Sequence, residues 1–122
     1  MYMNIKLLKA VVKKTFHKIR QKKNIFCTAL NSDIVITRDI WEHLLFRKRR
    51  SEEEVYERFL ILILLEDILR DGSLAMTRDD QQASFHEIDY LLQDMILTVI
   101  ILQKNNRMSV ASCFKNNKKR PV

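Results

Sequence analysis

The chain has 122 residues, a formal net charge of +7 and 47% apolar residues, with one glycine and one proline. This composition excludes a disordered chain and suits one compact domain spanning residues 1–122. The longest apolar run, Phe59 to Leu65, is far shorter than the roughly 20 residues that cross a bilayer, which excludes a helical membrane span. The N-terminal cations lead into no apolar segment or small-residue cleavage site, so a secretory signal is not expected. Cys27 and Cys113 have no metal-ligand spacing; reduced, buried thiols in a reducing compartment are expected rather than a disulfide.

The charge is unevenly laid out. All fifteen Asp and Glu lie between Asp33 and Asp94, so both ends of the chain carry basic charge alone. The expected organisation is a basic helical arm over residues 1–32, a core over 33–114 and a flexible basic tail over 115–122. Separated positive surfaces of this kind can track a phosphate backbone.

In chain order, Ile5, Leu8, Val12, Phe16 and Ile19 recur at helical spacing among Lys6, Lys9, Lys13, Lys14, His17, Lys18 and Arg20, which predicts an amphipathic basic helix. Ile34-Val35-Ile36 suits a small strand or an extended lead into the next helix, which Thr37 can cap and which carries Ile40, Trp41, Leu44 and Leu45 on one face. Ser51-Glu52-Glu53-Glu54 reads as a capping box, with Ser51 accepting from the amide of Glu54 and Glu54 reaching back. From there one long helix is expected to run to Asp71 with Gly72 at its C′ position. Phe59 to Leu65 is apolar all round, which makes this the central helix. Short strands are expected over Ser73 to Thr77 and Phe85 to Leu92, a buried strand over Met95 to Gln103, and a last strand carrying Met108, Val110 and Phe114. Asn105-Asn106 between the last two tolerates the positive φ of a tight hairpin. The predicted fold is α+β: N-terminal helices followed by a three- to four-stranded antiparallel sheet packed on a long central helix.

A basic first helix, a second helix bearing a His with trailing arginines, a long central helix and the closing hairpin Leu97 to Phe114 together resemble the small ribonuclease toxin fold of barnase, colicin D and RelE-type toxins. Carboxy-terminal domains of contact-dependent inhibition toxins and phage-borne nuclease domains are similar. The resemblance covers the order of elements over residues 4–116, on short motifs. It implies metal-independent cleavage of RNA, often transfer RNA, by a toxin acting in a cytoplasm, that of a target cell after delivery included. A cognate immunity or antitoxin protein is the partner it implies, and no cofactor is expected.

Transesterification of RNA needs a base near the 2′-hydroxyl, an acid near the departing 5′-oxygen and positive charge around the phosphate. His43, Arg47 and Arg50 recur at intervals of four and three on the predicted second helix and form one stripe. Neighbouring cations disfavour protonation of His43, and Arg47, Arg49 and Arg50 can grip phosphate oxygens in pairs. The plainer reading of His43 is a surface side chain beside Trp41. His86, alternating with Ile88 and Tyr90, is the second candidate, or a half-buried sheet residue. His17, on the early basic helix, is a rival in the position that the resemblance to colicin D suggests, or a solvated side chain. The resemblance also points to Ser112 as a phosphate-holding hydroxyl on the last strand, with an edge serine as the alternative. Lys13, Lys14, Arg20 and Lys115 complete the expected RNA-binding set. Trp41 and Tyr90 could stack on a base, although Trp41 falls on the apolar stripe; Glu42 and Glu87 could act as a base, without support from spacing. His and Cys never cluster, so no metal site is expected. A noncatalytic nucleic-acid-binding module and a protein-interaction component of a toxin or secretion system are the competing readings.

Overall fold

The first helix, α1 (Ile5–Gln21), forms because apolar residues return at the helical period: Val12, Phe16 and Ile19 are buried, while Lys6, Lys9, Lys13, Lys14, His17 and Lys18 lie on exposed positions. The computed structural model describes residues 5–22, 24–37 and 51–117. The predicted helix carrying Ile40, Trp41, Leu44 and Leu45 falls outside the described residues.

Two short strands follow α1, β1 (Asn24–Cys27) and β2 (Ser32–Val35), paired antiparallel with Ile25 opposite Ile34. Ile25, Cys27, Ile34 and the following Ile36 are all buried. Asn31 turns the chain between the strands with φ of 49°, a backbone region that asparagine enters more readily than most residues. The expected helical arm thus contains a strand as well as a helix, and side chains of both belong to the hydrophobic core.

The long central helix is not formed. Ser51 caps α2 (Glu52–Ile63), its Oγ accepting from the Glu54 amide at 3.1 Å as the capping box predicts, but Leu64 leaves helical geometry at φ −94° and ψ 6°. A separate short helix, α3 (Leu65–Asp71), follows. The physical reason lies in the apolar run itself. An all-round apolar segment must be covered from several directions, and the change of course at Leu64 allows α2 to pack on α1 while α3 turns toward the sheet. Leu65, Ile68 and Leu69 of α3 are then fully buried.

The remaining strands are β3 (Ser73–Asp79), β4 (Ser84–Leu92), β5 (Met95–Lys104) and β6 (Arg107–Lys115). They are antiparallel neighbours, and β2 adds to β6 in parallel, so the sheet has six strands in the order β1-β2-β6-β5-β4-β3. The expected three- to four-stranded antiparallel sheet is therefore corrected to a mixed one of six, because the two strands that precede α2 return to its edge. The sheet curls. Seven-residue α3 touches both β1 and β4, which stand four places apart, about 19 Å in a flat sheet at ~4.8 Å per strand, and a helix of about 10 Å diameter could not reach both. The amide of Thr28 ties the end of β1 to the Leu69 carbonyl at 3.1 Å, fixing α3 within the concave face.

The β5–β6 hairpin turns on Asn105 and Asn106, both at positive φ (54° and 60°), as the sequence predicts. Gly72 differs from its expected role. Its φ of −70° is open to any residue, so the need for glycine comes from crowding: a Cβ there would sit 2.4 Å from the Ile68 carbonyl oxygen and 2.7 Å from Ile88 Cγ2.

Candidate active site

The first turns of α2 and the end of β6 enclose a cleft of about 210 Å³ lined by Glu54, Glu57, Arg58, Phe114, Lys115 and Asn117. Local sequence explains one wall: the Ser51 cap sets the helix register, and Glu54, Glu57 and Arg58 at i, i+3 and i+4 share a side of α2. The sheet supplies the other. Lys115 pairs with Leu97 at the end of the β5–β6 ladder, next to Asn116, whose amide closes on the Ile96 carbonyl at 2.8 Å. Arg58 joins the walls, its guanidinium donating to the Cys113 carbonyl at 2.5 Å.

The cleft combines opposite charges. Burial pushes the Glu57 carboxyl above its ordinary value; Lys115 opposes that shift, Glu53 and Glu54 add to it, and Arg58 opposes it. A carboxylate that holds a proton more tightly is a better base near neutral pH, provided a substrate proton comes within hydrogen-bonding reach. Lys115 places an ammonium on the same cleft, where an anionic oxygen could be held. Glu57 and Arg58 were missed in the sequence because they lie beyond the acidic first turn, Glu52 to Glu54, which capping and dipole effects account for, and no spacing there marks a site. Their grouping with Glu54 on one helical side was legible, whereas the approach of β6 was not.

The sequence-predicted residues are dispersed. His43, Arg47, Arg49 and Arg50, with Trp41 and Glu42, lie outside the described residues; in sequence, Arg47 to Arg50 immediately precede the Ser51 cap. His17, Lys13 and Lys14 are exposed on α1, which also carries Arg20. His86 is 8% exposed on β4, with Nδ1 2.9 Å from Thr77 Oγ1 and Nε2 2.8 Å from Gln103 Oε1. Directly opposed residues share a sheet face. His86 stands opposite Ile101 and Lys115 opposite Leu97, so they share the face of the buried Val99 and Cys113 but sit four residues apart along β5, about 13 Å at ~3.3 Å per residue. Ser112, opposite Ile100, faces the other way with Glu87. Thus, among the described residues that the sequence singles out, Lys115 alone lines the cleft, and His86 and Ser112 face opposite sides of the sheet.

On that other face Thr98 is fully buried, donating to Asp89 at 2.8 Å and accepting from Asn116 at 3.2 Å. Both cysteines are buried thiols that form no disulfide, and burial pushes the Cys27 thiol up despite backbone hydrogen bonds from Leu30 and Ala29. Among the described residues no group of three or more His, Cys, Asp and Glu is placed to hold a metal ion, and no helix is long and apolar enough to cross a membrane. No known family model matches the chain, and comparisons with curated proteins and with solved structures give no significant match.

Proposed function

We propose that this protein is a metal-independent endoribonuclease that cleaves transfer RNA or another structured RNA, with the reacting phosphodiester in the cleft between α2 and β6. The observation that carries this reading is the half-buried Glu57 carboxyl, with its raised proton affinity, facing the Lys115 ammonium across an open cleft. Glu57 takes the proton from a ribose 2′-hydroxyl, the 2′-oxygen attacks phosphorus, and the 5′-oxygen leaves, giving a 2′,3′-cyclic phosphate. Lys115 holds the phosphate oxygens as their charge grows. His43, one helical repeat before Arg47 in the sequence, is the candidate to protonate the leaving oxygen, and Arg47, Arg49 and Arg50 lead into the helix that walls the cleft. The exposed lysines of α1 supply sequence-independent attraction to the nucleic acid. This activity makes the protein a toxin, and a cognate immunity or antitoxin protein is the partner the reading requires.

The test is cleavage of total RNA by the full chain in EDTA, with sequencing of the ends. Recurrent cut sites bearing cyclic phosphate are expected; Glu57→Gln should lower the rate by about 10²–10⁴-fold, the usual worth of a general base. Lys115→Ala should slow cleavage in a folded protein, and His43→Ala should do the same if it is the acid. RNA binding that weakens steeply with salt, without cleavage, would instead establish the noncatalytic module. Undiminished cleavage by Glu57→Gln removes the cleft from the mechanism.

A further inference from the structure

A second constellation lies away from the cleft, across three adjacent strands. Thr77 on β3 stands directly opposite His86 on β4, and Gln103 on β5 reaches the same imidazole from the other side. The contacts define the proton positions. Gln103 Oε1 can only accept, so at 2.8 Å it receives Nε2–H of His86. In the neutral ring Nδ1 is then the acceptor, and the Thr77 hydroxyl, 2.9 Å away, donates to it. This is a hydroxyl hydrogen-bonded to a base that a third group orients, the arrangement by which a weak nucleophile is activated. The accessibilities are suitably divided: the imidazole is 8% exposed, whereas Thr77 lies on an edge strand whose residues are all exposed. A structural need to satisfy a buried histidine explains two hydrogen bonds, but it does not require that one partner be a hydroxyl open to solvent.

We propose that Thr77, His86 and Gln103 form a second reactive site, in which Thr77 accepts an acyl group from a neutral carboxylic ester. Asp79, hydrogen-bonded to Ser84 at 2.6 Å two residues along β3, places negative charge beside the site and disfavours anionic esters. In the step, Thr77 Oγ1 attacks the ester carbonyl carbon while its proton passes to His86 Nδ1. Gln103 continues to accept from Nε2 and holds the resulting imidazolium. Collapse of the tetrahedral intermediate breaks the ester C–O bond, the alkoxide or phenoxide leaves with the electron pair, and the imidazolium returns its proton to the leaving group or to solvent. The product is an O-acyl ester of Thr77. Alternate backbone N–H groups of an edge strand lack a partner within the sheet and are available to the carbonyl oxygen.

The test uses the full chain and p-nitrophenyl acetate. Release of p-nitrophenolate should accompany one acetyl group per chain, located on Thr77 by peptide mass spectrometry, resistant to neutral hydroxylamine, which cleaves thioesters, and removed by alkaline hydroxylamine, which cleaves oxygen esters and leaves lysine amides. Thr77→Ser should still be acetylated, Thr77→Ala should not, and His86→Gln should slow acetylation on the order of 10²-fold. Gln103→Ala keeps the imidazole and should slow it less, with an altered pH profile. Acetylation confined to lysines would overturn the proposal, as would Thr77 labelling at full rate in folded His86→Gln or Gln103→Ala. If His86→Gln does not fold, Gln103→Ala and Thr77→Ser decide the matter.

Discussion

Replacing Gly72 by alanine separates two explanations of the lone glycine. In the familiar helix ending, glycine is chosen for a left-handed backbone, and asparagine is the best substitute. Here the backbone is extended, with φ −70° and ψ 163°, and no conformational penalty attaches to a side chain. The obstacle is space. A Cβ would stand 2.4 Å from the Ile68 carbonyl oxygen, 2.7 Å from Ile88 Cγ2 and 3.1 Å from the Asp89 carbonyl oxygen. Ile88 can shift its methyl only within a fully buried environment, and the Ile68 carbonyl is held by the Gly72 amide itself at 2.8 Å. Relief therefore means loosening the hydrogen bond that ends α3 or moving β4 away from it. Overpacking of this kind costs about 1–3 kcal/mol, which for a chain of this size lowers Tm by roughly 4–12 °C. Urea and thermal unfolding of the full chain would measure it, and Gly72→Asn should lose at least as much as Gly72→Ala. Crowding is refuted as the cause if alanine changes stability by less than about 0.5 kcal/mol, or if asparagine restores what alanine loses.

Ser51→Ala removes the acceptor of the Glu54 amide at 3.1 Å and should cost about 1 kcal/mol in urea unfolding. Glu57→Gln should have opposite effects on activity and stability. The folded pKa of Glu57 lies above its ordinary value, so the native state binds the proton more tightly and stability declines as pH rises from the ordinary carboxylate range through the raised value. The glutamine variant should therefore match wild type below that window and exceed it above, by under ~1 kcal/mol because the cleft is open to solvent. A gain that persists equally at acid pH would show that charge is not its source.

What the sequence revealed follows the range of the interactions concerned. The α1 helix with Val12, Phe16 and Ile19 on its buried side, the Ser51 cap and the Asn105–Asn106 turn are governed by neighbours a few residues away, and these form as read. The strand Asn24–Cys27 was illegible because four residues of alternating burial mean little without a partner, and its partner β2 was itself ambiguous. The break at Leu64 was hidden for a different reason. Helix propensity and apolar content across Phe59 to Leu65 favour continuation, and only the curl of a sheet assembled from both ends of the sequence makes a straight helix a poor fit.

The same distinction explains the candidate sites. Reading chemistry along the chain groups His43 with Arg47 and Arg50, since a helix presents residues three and four apart together. Pairing across strands assembles groups by register instead, and register is a property of the whole sheet. Thr77 meets His86 and Gln103 because β3, β4 and β5 are aligned in that register. The β5 ladder separates His86 from Lys115 by four residues even though both lie on the concave side. A one-residue slip of β4 against β5 would turn His86 away from Gln103 and expose Ile88, which is fully buried. The apolar core therefore fixes the alignment of the polar groups, and substitutions that loosen Ile88 or Val99 should impair acylation of Thr77 although Thr77, His86 and Gln103 are all retained.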